Sequence, residues 1–300
     1  MHARTIASGF GFLEGPRHRD GVIYTADFYR KQVFRIDVET GAEESLCTVP
    51  QQPSGIAFAT DGSMFVVSML DRRIMHLTGD GLREYADLSH ITDHPINDMT
   101  IDRAGRLFVG AFGRREDGDL SIRPTPITRV DLDGTAHPVS MDLCYANGMA
   151  FDGCGTTFYA ADTFGCRLGI FDAHADGSLV LRDFYRFGPI AYDNVMVAVE
   201  SGNFLPDGIS IDGSGRVWVA NARAGNVGIY DPATHTAALV PIEDLNAHVY
   251  AVEVATDGRI FACVAPRMMS WDSQMEFPSR LVELTWREGE QAGLEWRPSA

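Results

Sequence analysis

The stretch Pro206-Asp207-Gly208-Ile209-Ser210-Ile211-Asp212-Gly213-Ser214-Gly215-Arg216-Val217-Trp218-Val219-Ala220 decides the fold. Ile209 and Ile211 alternate with polar neighbours, the period-two signature of a strand. Asp212-Gly213-Ser214-Gly215 then interrupts the run with residues that favour a tight turn. Val217-Trp218-Val219 resumes a β-rich run, and Val227-Gly228-Ile229-Tyr230-Asp231 supplies another.

The same unit recurs on both sides of this stretch. Its turns lie at Asp20-Gly21, Asp61-Gly62, Asp102-Arg103-Ala104-Gly105, Asp152-Gly153-Cys154-Gly155 and Asp257-Gly258. After them come Val22-Ile23-Tyr24, Met64-Phe65-Val66-Val67, Leu107-Phe108-Val109, Thr157-Phe158-Tyr159 and Ile260-Phe261-Ala262. Six copies spaced by about 41 to 60 residues predict an all-β fold, a six-bladed β-propeller of four-stranded blades. One blade cannot bury both of its faces, whereas six packed in a closed ring can, and closure protects the edges. Residues 1–300 are accordingly read as a single domain, with Phe65, Phe108 and Trp218 in the core between blades.

Composition narrows the function. Lys and Arg number 25 against 41 Asp and Glu, a formal charge of −16. Such a chain repels phosphate backbones and anionic lipid, which makes nucleic acid and membranes poor partners. No apolar run has the length of a membrane span, and the N-terminus lacks the apolar core of a signal peptide. The five cysteines, Cys47, Cys144, Cys154, Cys166 and Cys263, include no C-x-x-C pair. Reduced thiols and a cytoplasmic location are the expectation, although Cys154 and Cys166 could face each other across a hairpin.

Two insertions lengthen the repeat, one around 113–125 and one at 187–204. The second is rich in apolar residues and reads as a lid over the channel mouth or a short helix packed outside.

Aligning the copies on their turn glycines isolates a second pattern. Glu14, Ser54, Asn97, Asn147, Asp207 and Tyr250 each fall seven or eight residues before the turn glycine of their copy. All open the first strand of a blade, which lines the central channel in a propeller. Two carboxylates and two amides would therefore converge on one axis. Oxygen donors of this kind suit a hard divalent cation, Ca²⁺ first, with Mg²⁺, Mn²⁺ or Zn²⁺ as alternatives. The two carboxylates, Glu14 and Asp207, match its charge. Any one of these residues alone would pass for an ordinary turn former.

Four segments carry a resemblance to a known family. They are Leu13-Glu14-Gly15-Pro16, Ile96-Asn97-Asp98 with Asp102-Arg103-Ala104-Gly105, Asn147-Gly148-Met149-Ala150-Phe151-Asp152, and the stretch from Pro206 to Ala220. In order and spacing they resemble the SMP-30/gluconolactonase/LRE family over nearly the whole chain. The resemblance implies a six-bladed propeller, a divalent metal in the channel and lactone hydrolysis. It implies Glu14, Asn147 and Asp207 as metal ligands, Asn97 as a further ligand or substrate contact, and Asp207 as the catalytic carboxylate.

The departures point away from sugar lactones. The family's sugar lactonases commonly carry Arg where this chain has Pro95, and a sugar-binding Glu aligns with Arg115. The usual opening of the last blade is replaced by Ala247-His248-Val249-Tyr250-Ala251. Tyr192, Met196, Phe204 and Tyr250 are read with Arg115 as substrate contacts for a less polar lactone or ester. His248 reads as a catalytic proton shuttle or substrate donor, with a structural role as the alternative. Arg114 and Arg115 are read as a carboxylate anchor or a solvated pair. Asp27 and Asp162 are read as turn formers. The expected partner is a small lactone or ester, on a monomer or small homo-oligomer. Competing readings are a phosphotriesterase-like hydrolase, a non-catalytic calcium- or ligand-binding propeller, and a protein-interaction propeller.

Overall fold

The computed structural model describes residues 1–112, 119–188, 192–266 and 279–286. It contains six four-stranded antiparallel sheets, the six blades of the expected propeller. In five blades the strands follow chain order from the axis outward. Blade 1 runs from Leu13–Arg19 to Glu43–Thr48, blade 2 from Pro53–Phe58 to Gly81–Asp87, and blade 3 from Ile96–Ile101 to Ala136–Pro138. Blade 4 runs from Ala146–Phe151 to Leu179–Arg186, and blade 5 from Pro206–Ile211 to Thr236–Pro241.

Blade 6 is assembled from both ends of the fold. Its inner strands are His248–Val254, Ile260–Ala265 and Ser279–Thr285, and its outer strand is His2–Phe10. His2 pairs with Thr285 and Phe10 with Ser279. The Met1 ammonium donates to the Pro241 carbonyl at 2.9 Å, tying this strand to blade 5. The ring therefore closes through hydrogen bonds between segments almost the whole chain apart.

The repeated Asp-Gly turns lie at the bottom of the blades. Asp212 Oδ1 accepts from the backbone N–H groups of Ser214 (2.9 Å) and Arg216 (3.1 Å), and Gly215 takes φ +85°. Its Oδ2 accepts from Arg216 Nε (2.8 Å) and Trp218 Nε1 (3.0 Å). The turn is thereby joined to a tryptophan that is only 2% exposed in the core. Asp102 holds Ala104, Arg106 and the left-handed Gly105 in the same way. A turn Asp that pulls backbone donors onto itself explains why the D-x-x-G spacing recurs.

At the top, Asp27 is fully buried and accepts from the N–H groups of Gly11 (2.8 Å), Phe12 (3.1 Å), Tyr29 (3.1 Å) and Arg30 (3.1 Å). Asp162 accepts from Tyr145 N at 3.0 Å and Arg167 Nε at 2.8 Å. Asn221 accepts from Leu205 N at 3.1 Å and Arg223 N at 3.0 Å. These residues do more than form turns. Each fastens the segment entering an inner strand to the turn beyond the second strand.

The core fills the spaces between blades. Trp218, Phe108, Phe158, Phe171 and Phe261 are among its largest fully buried side chains, and Phe65 is also buried. All five cysteines are free, with Cys154 exposed and Cys166 buried. Among the described residues, no helix is long and apolar enough to cross a membrane.

The two insertions meet. Ile122 N donates to Asp193 O at 2.7 Å and Val195 N to Leu120 O at 2.9 Å. A short helix, Val195–Glu200, is capped by Asn194. It buries Val195 and Ala198 against Phe112, Ile122 and Phe164. Residues 113–118 and 189–191 of these insertions lie outside the described residues.

The inner strands approach so closely that small residues are required between them. A Cβ on Gly148 would lie 2.4 Å from Ile209 N and 2.6 Å from Asp207 O. Gly148→Ala is expected to cost about 2 kcal/mol or more in urea unfolding, because backbone must move. Gly213→Ala, whose Cβ would meet nothing within 4 Å, should change stability by less than about 1 kcal/mol. Equal effects would refute the close-packing explanation. A second expectation concerns Asp212. Burial opposes its ionisation, but hydrogen bonds from Ser214, Trp218 and Arg216 outweigh it and lower the carboxyl from 3.8 to about 2. A lowered acid stabilises the fold above its unfolded pKa and loses that contribution as pH falls through its folded pKa. The melting-temperature gap between wild type and Asp212→Asn should be full at neutral pH and close between 3.8 and about 2. A gap constant across that window would exclude this origin.

Candidate active site at the channel mouth

Every inner strand slips register against its neighbour at the same level. The shifts fall between Glu14 and Arg17, Pro53 and Ile56, Ile96 and Met99, Ala146 and Met149, Pro206 and Ile209, and Val249 and Ala251. A bulge bends its strand and re-aims the side chains beside it. Glu14, Ser54, Asn97, Asn147, Asp207 and Tyr250 all sit at these bulges, and none is more than 9% exposed.

Hydrogen bonds link them around the axis. Ser54 Oγ donates to Asn97 Oδ1 at 2.8 Å, and Asn97 Nδ2 donates to Asn147 Oδ1 at 2.8 Å. Asn147 Nδ2 donates to Thr163 Oγ1 at 3.3 Å, and the Thr163 hydroxyl donates to the Pro206 carbonyl at 2.8 Å. Blades 2 to 5 are thus joined by one polar chain at the level of the bulges.

The electrostatics of this level are unusual. Burial pushes the Glu14 carboxyl well above its usual range, and the neighbouring Asp207 and Asp98 carboxylates push it further. Asp207 is raised by burial and by Asp98. Asp98 has a counter-ion, since Arg17 Nη2 lies 3.4 Å from its Oδ1. Arg17 is otherwise held by the Met99 carbonyl at 2.7 Å. Glu14 and Asp207 form no ion pair among the described residues. Desolvation and then the same carboxylates raise the phenols of half-buried Tyr145 and buried Tyr250.

Asp207 Oδ1 is buried and has no hydrogen-bond partner. A buried carboxylate oxygen left open beside a second uncompensated carboxylate is costly in isolation. A hard divalent cation would relieve both defects. Among the described residues, no three His, Cys, Asp or Glu side chains gather as a metal cluster. The donor set here is different: two carboxylates and the amide oxygens of Asn97 and Asn147, each with a second lone pair. Those residues fit a hard, oxygen-preferring cation rather than a soft one.

The remaining expected residues divide into two groups. Tyr250 lies at the acidic centre, with its ring 4.6 Å from Phe12 and its hydroxyl unpartnered. His248 lies two residues earlier on the same strand, with Nδ1 buried and open. Burial lowers its pKa, and Arg223 lowers it further. Tyr192 packs with both the Phe12 cluster and the insertion helix, and hydrogen-bonds Asn203. Met196 is 44% exposed on the helix surface. Phe204 is not brought to the carboxylates. It stacks on Phe187 at 4.4 Å, inside the wall between blades 4 and 5. The partner that withdraws it, Phe187, opens the same insertion. Arg114 and Arg115 lie outside the described residues.

Sequence reading missed Asp98, Thr163 and Arg223. Asp98 follows a register residue and resembled part of a turn. Thr163 and Arg223 occupy the turns after the second strands, where the repeat has no fixed residue type to betray them.

Similarity to known proteins agrees with this geometry. The SMP-30/Gluconolactonase/LRE-like region matches residues 12–246. Pentonolactonase XacC of Haloferax volcanii is 29% identical over 221 residues, covering 70% of this chain and 65% of that protein. Regucalcin of Danio rerio is 24% identical over 188 residues, covering 63% and 57%. The matches thus span less than two thirds of these two relatives. A luciferin-regenerating enzyme has a similar fold, with TM-score 0.74, 19% identity and 95% of each chain covered. So does a gluconolactonase from Xanthomonas campestris, with TM-score 0.69, 18% identity and 94% and 89% covered. The calcium-binding regucalcin of Agrobacterium tumefaciens follows at 0.71, 20% identity and 95% of each chain. Since the matched region runs through blades 1 to 5 and takes in Glu14, Asn97, Asn147 and Asp207, the chain belongs to the SMP-30/gluconolactonase/LRE family.

Proposed function

We propose that this protein is a divalent-cation-dependent hydrolase that opens a lactone, or a related ester, at the channel mouth. The observation that carries the reading is the pair of buried carboxylates, Glu14 and Asp207, without ion-pair partners among the described residues and flanked by the Asn97 and Asn147 amides. Glu14, Asn97, Asn147 and Asp207 would hold the cation, with Ca²⁺ as the first candidate. The cation would supply Lewis-acid polarisation of the ester carbonyl.

The protein's own groups account for the rest of the chemistry. Asp207 presents an open carboxylate oxygen to the channel level. It either takes the proton of an attacking water or attacks the carbonyl carbon itself. Cleavage of the ring C–O bond leaves an alkoxide that needs a proton, and the product is a hydroxy acid. His248, whose pKa is lowered by burial and then by Arg223, would exchange that proton through its open Nδ1.

The surroundings favour a lactone with an apolar body. Phe12, Phe28, Met69, Leu205 and Tyr250 form one apolar cluster, with Tyr29, Leu70 and Tyr192 against it. Tyr145 packs between Phe112 (4.5 Å) and Phe164 (5.6 Å). Apart from the tyrosine hydroxyls these groups offer nothing to sugar hydroxyls, and Pro95 offers no donor. The relatives named for pentonolactones and gluconolactone make sugar lactones the necessary comparison.

Hydrolysis of a panel from gluconolactone and pentonolactones to aliphatic and aromatic lactones, with a phosphotriester included, tests the reading. Chelated protein should be inactive and regain lactone turnover with Ca²⁺, Mg²⁺, Mn²⁺ or Zn²⁺, favouring the less polar substrates. Full activity after exhaustive chelation would overturn the cation requirement. Tight cation binding without turnover of any member would replace the hydrolase by a binding propeller. Asp207→Ala should lower kcat/KM by about 10³-fold or more, roughly 4 kcal/mol of transition-state stabilisation. Saturating cation should raise the wild-type melting temperature by at least about 3 °C and leave that variant nearly unmoved. Near-normal turnover in Asp207→Ala would sink the mechanism.

A further inference from the structure

The arginines on the top turns of blades 1, 2 and 4 are almost all engaged. Arg30 lies 3.7 Å from Glu43, and Arg73 Nε lies 2.9 Å from Glu84. Arg167 pairs with Asp162 at 2.8 Å and stacks over Phe184. Arg72 donates to the Leu70 carbonyl at 3.3 Å. Arg223, on the corresponding turn of blade 5, is the exception. Its backbone is fixed by the Asn221 side chain at 3.0 Å. Its guanidinium has no carboxylate within ion-pair distance among the described residues; its Nε is buried without a partner, as is that of Arg72, but Arg72 spends an Nη on the Leu70 carbonyl.

Two further open groups converge on it. His248 Nδ1 and Tyr250 Oη are both buried and unpartnered. The rings of His248 and Tyr250 are 6.3 Å apart, and the Arg223 charge acts on both. The turn itself is seated on the start of the sixth inner strand, through Val249 N to Ala224 O at 3.3 Å. Tyr250 shares the bulge level with Glu14 and Asp207, so this group adjoins the acidic centre.

We propose that Arg223 and Tyr250 form a carboxylate subsite beside the reacting centre and His248, so that the preferred substrate is a lactone bearing both an apolar ring and a free carboxylate. The proposal rests on the lactonase reading for the reaction and on this geometry for the anion. A guanidinium binds a carboxylate through two parallel N–H donors, and the Tyr250 hydroxyl adds a third. Tyr250 itself packs edge-on against Phe12 at 4.6 Å, in an apolar cluster that also holds Phe28 and Tyr29. A ligand with an apolar body and one anionic end satisfies both. The formal charge of −16 repels an anion at long range, and a guanidinium at the mouth offsets that repulsion locally.

Two measurements on the whole chain test this, using Arg223→Met and Arg223→Lys with unchanged melting temperature as the folding control. The first compares kcat/KM for phthalide and for phthalide carrying a ring carboxylate, in cation-loaded protein. The ratio of carboxylated to neutral substrate should fall about ten-fold or more in Arg223→Met, mostly through KM, and recover in part in Arg223→Lys. An unchanged ratio overturns the proposal. The second measures calorimetric binding of benzoate against benzamide, which requires no turnover. Binding of benzoate that is lost in Arg223→Met supports the subsite even if neither lactone is hydrolysed, in which case only the lactonase reading fails. Turnover of phthalide without Arg223-dependent benzoate binding leaves the lactonase and overturns the subsite.

Discussion

The hydrogen-bonded seam between His2–Phe10 and Ser279–Thr285 is the constraint on which the rest of the structure depends. An open stack of blades would leave the spacing of its inner strands undetermined. Closing the ring fixes all six at once, and the contacts between neighbouring inner strands are continuous around the axis. Only then do side chains as distant in sequence as Glu14 and Tyr250 share one environment. The small residues Gly15, Gly55, Gly148, Gly208 and Ala251, each one place after a site position, let the strands come that close.

Closure also creates the energetic problem that the site embodies. Carboxylates crowded at one buried level repel each other and lose hydration. The fold compensates selectively. Asp98 receives Arg17, while Glu253 receives His18 N at 3.0 Å and Ser210 Oγ at 3.3 Å. Glu14 accepts from Gly15 N at 3.1 Å, but neither it nor Asp207 has a counter-ion among the described residues, and Asp207 Oδ1 has no hydrogen-bond partner. A local conflict left standing inside an otherwise well-satisfied core is where function is expected. The bulges add to this picture, because they occur at the same place in all six inner strands and not elsewhere in those strands.

The two faces of the propeller have different tasks. Bottom turns are short, with Asp side chains that satisfy their own backbone, and they serve folding. Top turns carry the insertions, the aromatic cluster and the open polar groups. Asp27, Asp162 and Asn221 hold these turns rigid by binding the chain segments that lead into the site. Residues such as Tyr145 and Leu205 are therefore positioned by backbone hydrogen bonds rather than by the site itself. That separation allows the mouth to vary in chemistry while the ring stays constant.

The sequence by itself determined the repeat, the number of blades, and the register that brings Glu14, Asn97, Asn147 and Asp207 to one level. Strand periodicity and turn residues are local, and a repeated local pattern carries over directly into a repeated structure. The tertiary structure decided three things that no local pattern encodes. The N-terminal strand completes blade 6, because edge pairing depends on which segments meet after the ring forms. Phe204 turns into the wall between blades 4 and 5, where Phe187 stacks on it at 4.4 Å. Arg223 stands open beside His248 and Tyr250, because whether a charge is paired depends on which carboxylates lie within about 4 Å in space, not on its neighbours in the chain.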